Sequence, residues 1–520
     1  MTPNMDKARD KANTAIAKNS IFLTFRMLLV MFASLYTSRV ILDKLGVNDF
    51  GIYQTVGGIV LMFSFINGAL SSGASRFLSF ELGVGNNQQI KKTFSTVFVA
   101  NLIVATFVCL IVDPVGCYII YDKLQIPVDR LDATLISFHI SVVTCFLQIM
   151  LIPFTATIIS HEKMGIYAYM GLVDVLLKLL ICYLLIISPI DKLVFYSLLL
   201  LSSQFVVLLI FAVYSFMSFS EVSFNFDFDA IVLKKVGTYS MWSLLGSASS
   251  VLNNYGVNIV LGMFFLPSVV AARSLSNIAN LAVNQFIVNI RTAVNPQIVK
   301  RFAKNDLSGS KILLLESTKY TFFIILLLVM PVIFVSNELL NIWLKEVPLY
   351  TQSFFVISVG CSLFQVFDTS FYSALYANGR IRENALTGPI IALSAVPITY
   401  VLFEFGFSPI CLAWVLFGTY AVLGIIQKPM LLVKIADYKY SEIYSVIFIC
   451  LKIFLISFVA PLIFYLYKDQ LIDNYFIRFV LQIVIIILSI SVTVWYLGFS
   501  HKDRTFVLSK IERFCNKNDM

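Results

Sequence analysis

Charge and histidine are what this chain has least of. Of its 520 residues only 13% are Asp, Glu, Lys or Arg, and only three are His, at positions 139, 161 and 501. So little charge cannot solvate a surface of this size, and a mean hydropathy of +0.87 places the chain among polytopic helical membrane proteins. The three His lack metal-like partner spacing, and the eight Cys contain no CxxC pair, so neither a metal centre nor a cofactor is expected. Most of the cysteines fall in apolar runs and read as small buried hydrophobes. A Walker loop, a GxGxxG opening a helix and a GxSxG are all missing, which excludes ATP hydrolysis and nucleophile-elbow chemistry. Long loops are lacking too. The longest outside connection, about 113–130, is too short for the extramembrane domain that a membrane glycosyltransferase or polymerase uses, so no enzyme is expected.

Long apolar runs are what is there. Runs of membrane-crossing length lie near 19–41, 50–71, 93–112, 132–159, 165–188, 193–218 and 237–265. Seven more follow near 267–291, 317–336, 349–377, 384–405, 408–431, 445–467 and 474–498. The seventh is unusually long, so tilt or a break near Gly246 or Gly256 is expected. Continuous runs of this kind exclude the alternating strands of a barrel. Lys and Arg concentrate in the even-numbered loops and both tails, which puts both termini in the cytoplasm. The net charge of +9 is therefore explained by topology, without invoking nucleic acid. The tail after 498 is short and basic and reads as a surface helix. Residues 1–18 are polar and basic, and no cleavable signal is expected.

An internal repeat organises these spans. Sliding the sequence by 220 lays residues 45–77 on 265–297, each a tight loop, a span, a small-polar stretch and a basic loop. A slide of 217 lays Ser141 on Ser358, Gln148 on Gln365 and Gly171 on Gly388. Six spans per half is an even number, so the halves sit the same way up as parallel repeats. The expected fold is thus all-α with about fourteen transmembrane helices. It comprises a cytoplasmic segment 1–18, an N-lobe 19–218, a linker 219–236, a C-lobe 237–435, two extra spans 436–498 and a basic tail 499–520.

Polar residues recur along single helical faces of these spans. At about 100° per residue, Arg273, Asn277, Asn280, Asn284 and Arg291 fall on one line. Lipid does not tolerate such a line, because a charge at the bilayer centre costs on the order of 3 kcal/mol. Similar faces carry Tyr53, Ser64 and Asn67 in span two, Ser137, Ser141 and Gln148 in span four, and Ser247, Ser250 and Asn254 in span seven. Span ten contributes Ser358, Ser362, Gln365, Thr369 and Tyr372. Such stripes serve either as glue between helices or as the lining of a hydrated lumen. Their recurrence in corresponding helices of both halves favours the lumen.

Arg26 lies about 10 Å into span one at 1.5 Å per residue. Its guanidinium and those of Arg273 and Arg291 suit either an anionic ligand such as a diphosphate or an ion pair with Asp174, Asp368 or Glu404. Asp174 and Lys178 are four apart and expected to pair, structurally or as part of ion coupling. Asp368 is a candidate coupling carboxylate.

The N-terminal basic segment, LGVNDFGIYQ at 45–54 and SSGASRFLSFELGVGNNQQIKKTFS at 71–95 carry a resemblance. Over residues 15–435 the chain resembles the polysaccharide-export flippases, of the O-antigen (Wzx-type) branch, within the multidrug/oligosaccharidyl-lipid/polysaccharide (MOP) exporter superfamily. The resemblance implies two lobes around a cationic cavity and alternating access. Its implied cargo is an undecaprenyl-diphosphate-linked oligosaccharide, moved from the cytoplasmic to the periplasmic leaflet of the bacterial inner membrane. Polysaccharide polymerase and chain-length machinery would be partners, with a proton or sodium ion as coupling ion. Arg26 and Arg273 match the family's cavity arginines of spans one and eight, with Arg291 at the rim. Span two has no intramembrane Arg, which departs from that pattern. The other expectation is a cation-coupled drug or metabolite exporter of the same superfamily.

Overall fold

The computed structural model describes residues 29–222, 251–378, 382–501, 503–505 and 508–509, and all of its regular structure is helical. The first described helix, α1, covers 29–45. It is followed by α2 (Val47–Leu61), α3 (Phe65–Val84), α4 (Asn87–Asp122), α5 (Leu131–Ser160), α6 (Met164–Leu184) and α7 (Lys192–Ser218). After the gap come α8 (Val257–Phe264), α9 (Pro267–Ala303), α10 (Leu307–Trp343), α11 (Thr351–Ala377), α12 (Arg382–Leu393) and α13 (Ala395–Glu404). The chain closes with α14 (Cys411–Ala421), α15 (Lys428–Ala436), α16 (Tyr440–Leu471) and α17 (Tyr475–Thr493).

Among the described residues, 11 helices are long and apolar enough to cross a membrane, and they coincide with spans two to six and nine to fourteen. Span one begins outside the described residues, as does span seven. Near Gly256, where a break is one expectation, the helix continues through a π-helical turn over Leu252–Gly256. Span eight is α9, whose 37 residues are ample in length, but it is not one of the eleven. Its three arginines, its lysine and its asparagines dilute the apolar run that a lipid-facing helix needs.

The chain forms two compact units. The first comprises Met1–Ile278, Leu344–Thr351 and Pro389–Val415, and the second Ala279–Trp343, Gln352–Gly388 and Leu416–Met520. Helix α9 passes from one to the other between Ile278 and Ala279.

In the first unit, the starts of α4 and α7 are set by short polar side chains. The Asn86 carboxamide accepts from the amides of Gln88 and Gln89 at 3.1 and 3.2 Å and so begins α4. Asp191 does the same for α7 through Leu193 and Val194. Arg130, entering α5, joins the starts of α2, α5 and α7. Its guanidinium donates to Asp49 of α2 at 2.9 and 2.5 Å, and to Asp191 at 2.7 and 3.3 Å. Burial works to raise the Asp191 carboxyl, but Arg130 and the two backbone amides outweigh it and hold it below the usual carboxylate range. Helix α2 meets the start of α9 at Gly51, where any Cβ would fall 1.8 Å from the Pro267 carbonyl oxygen. These are the helices that the 220-residue slide superposes. The unit's core then packs Phe94, Phe138, Ile149 and Ile158 between α4 and α5.

In the second unit, α11 is the innermost helix: 67% of its most apolar window is buried, against 28% for α16 and 22% for α17. The helix richest in hydroxyls and amides is thus the one most shielded from lipid, as the cost of exposing polar groups to hydrocarbon demands. Helix α10 kinks at Val335, where φ −126° and ψ 30° leave the helical region. The extra helices α16 and α17 are tied by Ser489, which donates to the Ser457 carbonyl at 2.8 Å.

Candidate functional site

The polar line of α9 is where chemistry and fold converge, and each unit holds a part of it. In the first unit Arg273 is only 4% exposed. The adjoining serines fix this stretch: Asn258 of α8 donates to Ser274 at 3.3 Å, and Ser276 donates to the Thr351 carbonyl at 3.3 Å. A guanidinium buried this deeply must have its charge answered by neighbouring dipoles or by an anion.

In the second unit Asn280 and Asn284, one helical turn apart, meet Ser358, Ser362 and Gln365 of α11. The Asn280 amide donates to the Ser358 carbonyl at 2.5 Å, to Ser362 at 3.0 Å and to Gln365 at 3.4 Å. The Asn284 amide donates to Gln365 at 2.6 Å and to the Asn280 side-chain oxygen at 3.0 Å. Two stripes foreseen on separate spans therefore close into one network. Asn280 is its hub, and Gln365 accepts from both asparagines.

Arg291, two turns further along α9, is 2% exposed. Its Nη atoms donate to Ser317 Oγ at 3.2 Å, to the Ser317 carbonyl at 2.7 Å and to Thr321 at 2.5 Å, all on α10. Its Nε has no hydrogen-bond partner among the described residues. These partners are neutral, so the charge is solvated by dipoles alone.

Asp368 lies on α11 beside a cluster the sequence reading did not pick out. Its carboxylate is 2.7 Å from the Lys428 ammonium, whose side chain is only 5% exposed. Lys428 also donates to Asn384 of α12 at 2.7 Å and to Gln427 at 3.2 Å, while Gln427 donates to Asn384 at 3.2 Å and to Thr387 at 2.9 Å. A π-helical turn over Val422–Gln427 sets this register, and the Tyr444 hydroxyl donates to its Ile425 carbonyl at 3.0 Å. Gly424 lets the turn approach α11: a Cβ there would lie 2.6 Å from the Phe364 carbonyl oxygen. A lysine within an apolar run was the available signal. It went unused because Lys428 stands at the end of span twelve, where a snorkelling side chain is the ordinary reading.

The remaining candidates are dispersed. Asp174 and Lys178 pair with each other at 2.8 Å on a half-exposed face of α6. Asn67 on α3 keeps a buried side-chain oxygen that meets no donor among the described residues. Gln148 on α5, Asn277 on α9 and Asn254 in the π-helical turn are half-buried, and Tyr372 on α11 is 37% exposed. Arg26 lies outside the described residues, as do Ser247 and Ser250.

No family model and no curated protein matches the chain. Solved structures do. An inward-facing multidrug-resistance MATE transporter of the MOP superfamily aligns with a TM-score of 0.66 at 13% identity, over 80% of this chain and 96% of that one. The lipid II flippase MurJ, in an inward closed conformation, aligns with a TM-score of 0.66 at 14% identity, over 91% and 97%. A MOP superfamily transporter from Pyrococcus furiosus, whose binding pocket is described as reversed in polarity, aligns at 0.57 with 12% identity, over 82% and 96%. The fold is that of the MOP transporters: a polytopic, all-helical membrane protein.

Proposed function

We propose that this chain is a lipid flippase. It moves undecaprenyl-diphosphate-linked oligosaccharide units from the cytoplasmic to the periplasmic leaflet of the bacterial inner membrane, by alternating access, for O-antigen or another surface polysaccharide. The observation that carries this reading is Arg273, a guanidinium 4% exposed on the same helix as the amides of Asn280 and Asn284. A planar guanidinium matches diphosphate oxygens, and carboxamides match sugar hydroxyls. The likeness to a lipid II flippase supports a lipid-linked cargo.

Arg26 and Arg273 hold the diphosphate. Arg291, with its Nη atoms engaged by Ser317 and Thr321, stands at the edge of that role. Asn67, Gln148, Asn254, Asn277, Asn280, Asn284, Gln365 and Tyr372 contact sugars. A proton or sodium ion supplies the energy through Asp368 or the Asp174–Lys178 pair. The organisation is two six-helix lobes, 19–218 and 237–435, with both termini cytoplasmic; polymerase and chain-length proteins take the product.

The test is complementation of a flippase-null strain, with lipid-linked intermediates assayed in each leaflet. Arg273→Ala combined with Arg26→Ala should insert normally yet leave the intermediates on the cytoplasmic side. Normal surface polysaccharide in that double variant would overturn the assignment. The second reading, a cation-coupled multidrug exporter, draws on the equally high similarity to a MATE transporter. It calls for an unneutralised carboxylate facing a cationic drug, whereas Asp174 and Asp368 each sit against an ammonium. Drug resistance conferred without complementation would favour it.

A further inference from the structure

Away from the polar line of α9, helices α4 and α5 bring three side chains with nitrogen, sulfur and oxygen donors to one place. His139 Nδ1 lies 2.7 Å from Asp113 Oδ1. The donor atoms of Asp113, Cys117 and His139 all fall within 4.8 Å of one another. Asp113 and Cys117 are four apart on α4 and so share a face, while His139 comes from α5. Sequence spacing hides the trio, because its members meet only once the two helices are in register.

That register is fixed one residue from each partner. A Cβ on Gly116 would stand 2.0 Å from the Phe138 ring, so the ring fills the place of the missing side chain and locks α4 against α5. Phe138 is 0% exposed. The polar groups beside this lock stay accessible: His139 is 50% and Asp113 43% exposed. Beyond them on α4, Tyr118 and Tyr121 are exposed, the residue type that collects at membrane–water boundaries. An ion arriving from water can therefore reach the cluster.

We propose that Asp113, Cys117 and His139 form a binding site for a divalent transition-metal ion of borderline softness, with zinc as the first choice. Imidazole and thiolate select such ions, whereas calcium and magnesium take oxygen ligands. Bond lengths of about 2.0–2.3 Å put tetrahedral ligand atoms roughly 3.5 Å apart. Rotamer adjustment brings the three donors to that spacing and leaves the fourth position to water. On binding, the Cys117 thiol releases its proton to solvent. The ion then ties the outer halves of α4 and α5 together.

The experiment uses the full chain in nanodiscs with cobalt(II) as the probe. Wild type is expected to bind one equivalent, with a sulfur-to-cobalt charge-transfer band in the near ultraviolet that zinc displaces. Cys117→Ser should abolish the band. His139→Gln and Asp113→Asn should each weaken binding by on the order of tenfold or more. Cys109→Ser, one turn away with its thiol on the Val142 carbonyl, should leave the band unchanged. Zinc should raise the melting temperature of wild type and not of Cys117→Ser. No charge-transfer band in wild type, or a band that survives Cys117→Ser, would overturn the proposal.

Discussion

Replacing either member of the Asp368–Lys428 pair should cost stability, and the two replacements should not cost the same. Removing one partner of a buried ion pair leaves an uncompensated charge, at about 3–5 kcal/mol. The Lys428 side chain is 5% exposed and Asp368 26%. Asp368→Leu leaves the ammonium sealed with only the Asn384 and Gln427 side-chain oxygens, at 2.7 and 3.2 Å. That variant should show the full penalty of about 3–5 kcal/mol. Lys428→Met leaves a carboxylate that water can still reach, and Asn384 keeps its bond from Gln427 at 3.2 Å. Its cost should be nearer 1–3 kcal/mol, roughly that of one unsatisfied polar group. With both charges gone, the double variant should recover most of the loss, a coupling of about 2 kcal/mol or more. Unfolding by SDS titration in mixed micelles reads these differences directly. If Lys428→Met costs as much as Asp368→Leu, or the double variant is no better than the worse single one, the pair is not the buried contact argued for.

Three further outcomes follow from the geometry. The Asp191 carboxyl is held below its ordinary value, so its contribution is complete above the unfolded pKa of about 3.9 and is lost as pH falls through the lower folded value. Acid melts should therefore steepen below about pH 4 in wild type and flatten in Arg130→Ala, and identical profiles would refute the Arg130 staple. Gly51→Ala should destabilise by about 1–3 kcal/mol or prevent accumulation, since its Cβ would meet the Pro267 carbonyl oxygen at 1.8 Å; an unchanged melting temperature would show that α2 and α9 do not touch there. Gln365→Leu strips an acceptor from the Asn280 and Asn284 amides and should cost about 1–3 kcal/mol, and an unchanged melting temperature would refute the network.

Much of the architecture could be read from apolar run lengths, because lipid imposes a length on each span whatever its partners. Helix limits were less readable. Hydropathy marks the apolar part of a helix, not its hydrogen-bonded length, so span three ends at 112 in sequence while α4 continues to Asp122. The Asn280, Asn284 and Gln365 stripes were visible because helical periodicity gathers them on faces. That they face each other was not visible, since periodicity carries no information about which faces meet. Lys428 was lost for the opposite reason: an isolated charge at the end of a run has no period. Its burial depends on Asn384 and Asp368 from two other helices. For Arg273 the sequence supplied the physical demand, burial away from lipid, and nothing about which groups would answer it.

The π-helical turn over Val422–Gln427 makes the placement of Lys428 a matter of counting residues. Each residue of an α-helix turns the chain by about 100°, so a turn carrying one extra residue shifts everything after it to another face. Rewinding those residues as plain α-helix, with none lost, would swing Lys428 by about 100° away from Asp368 without changing any side chain. The ion pair thus rests on the winding of one turn as well as on the residues that make it. A comparison that reads only the letters at positions 368 and 428 would miss such a change.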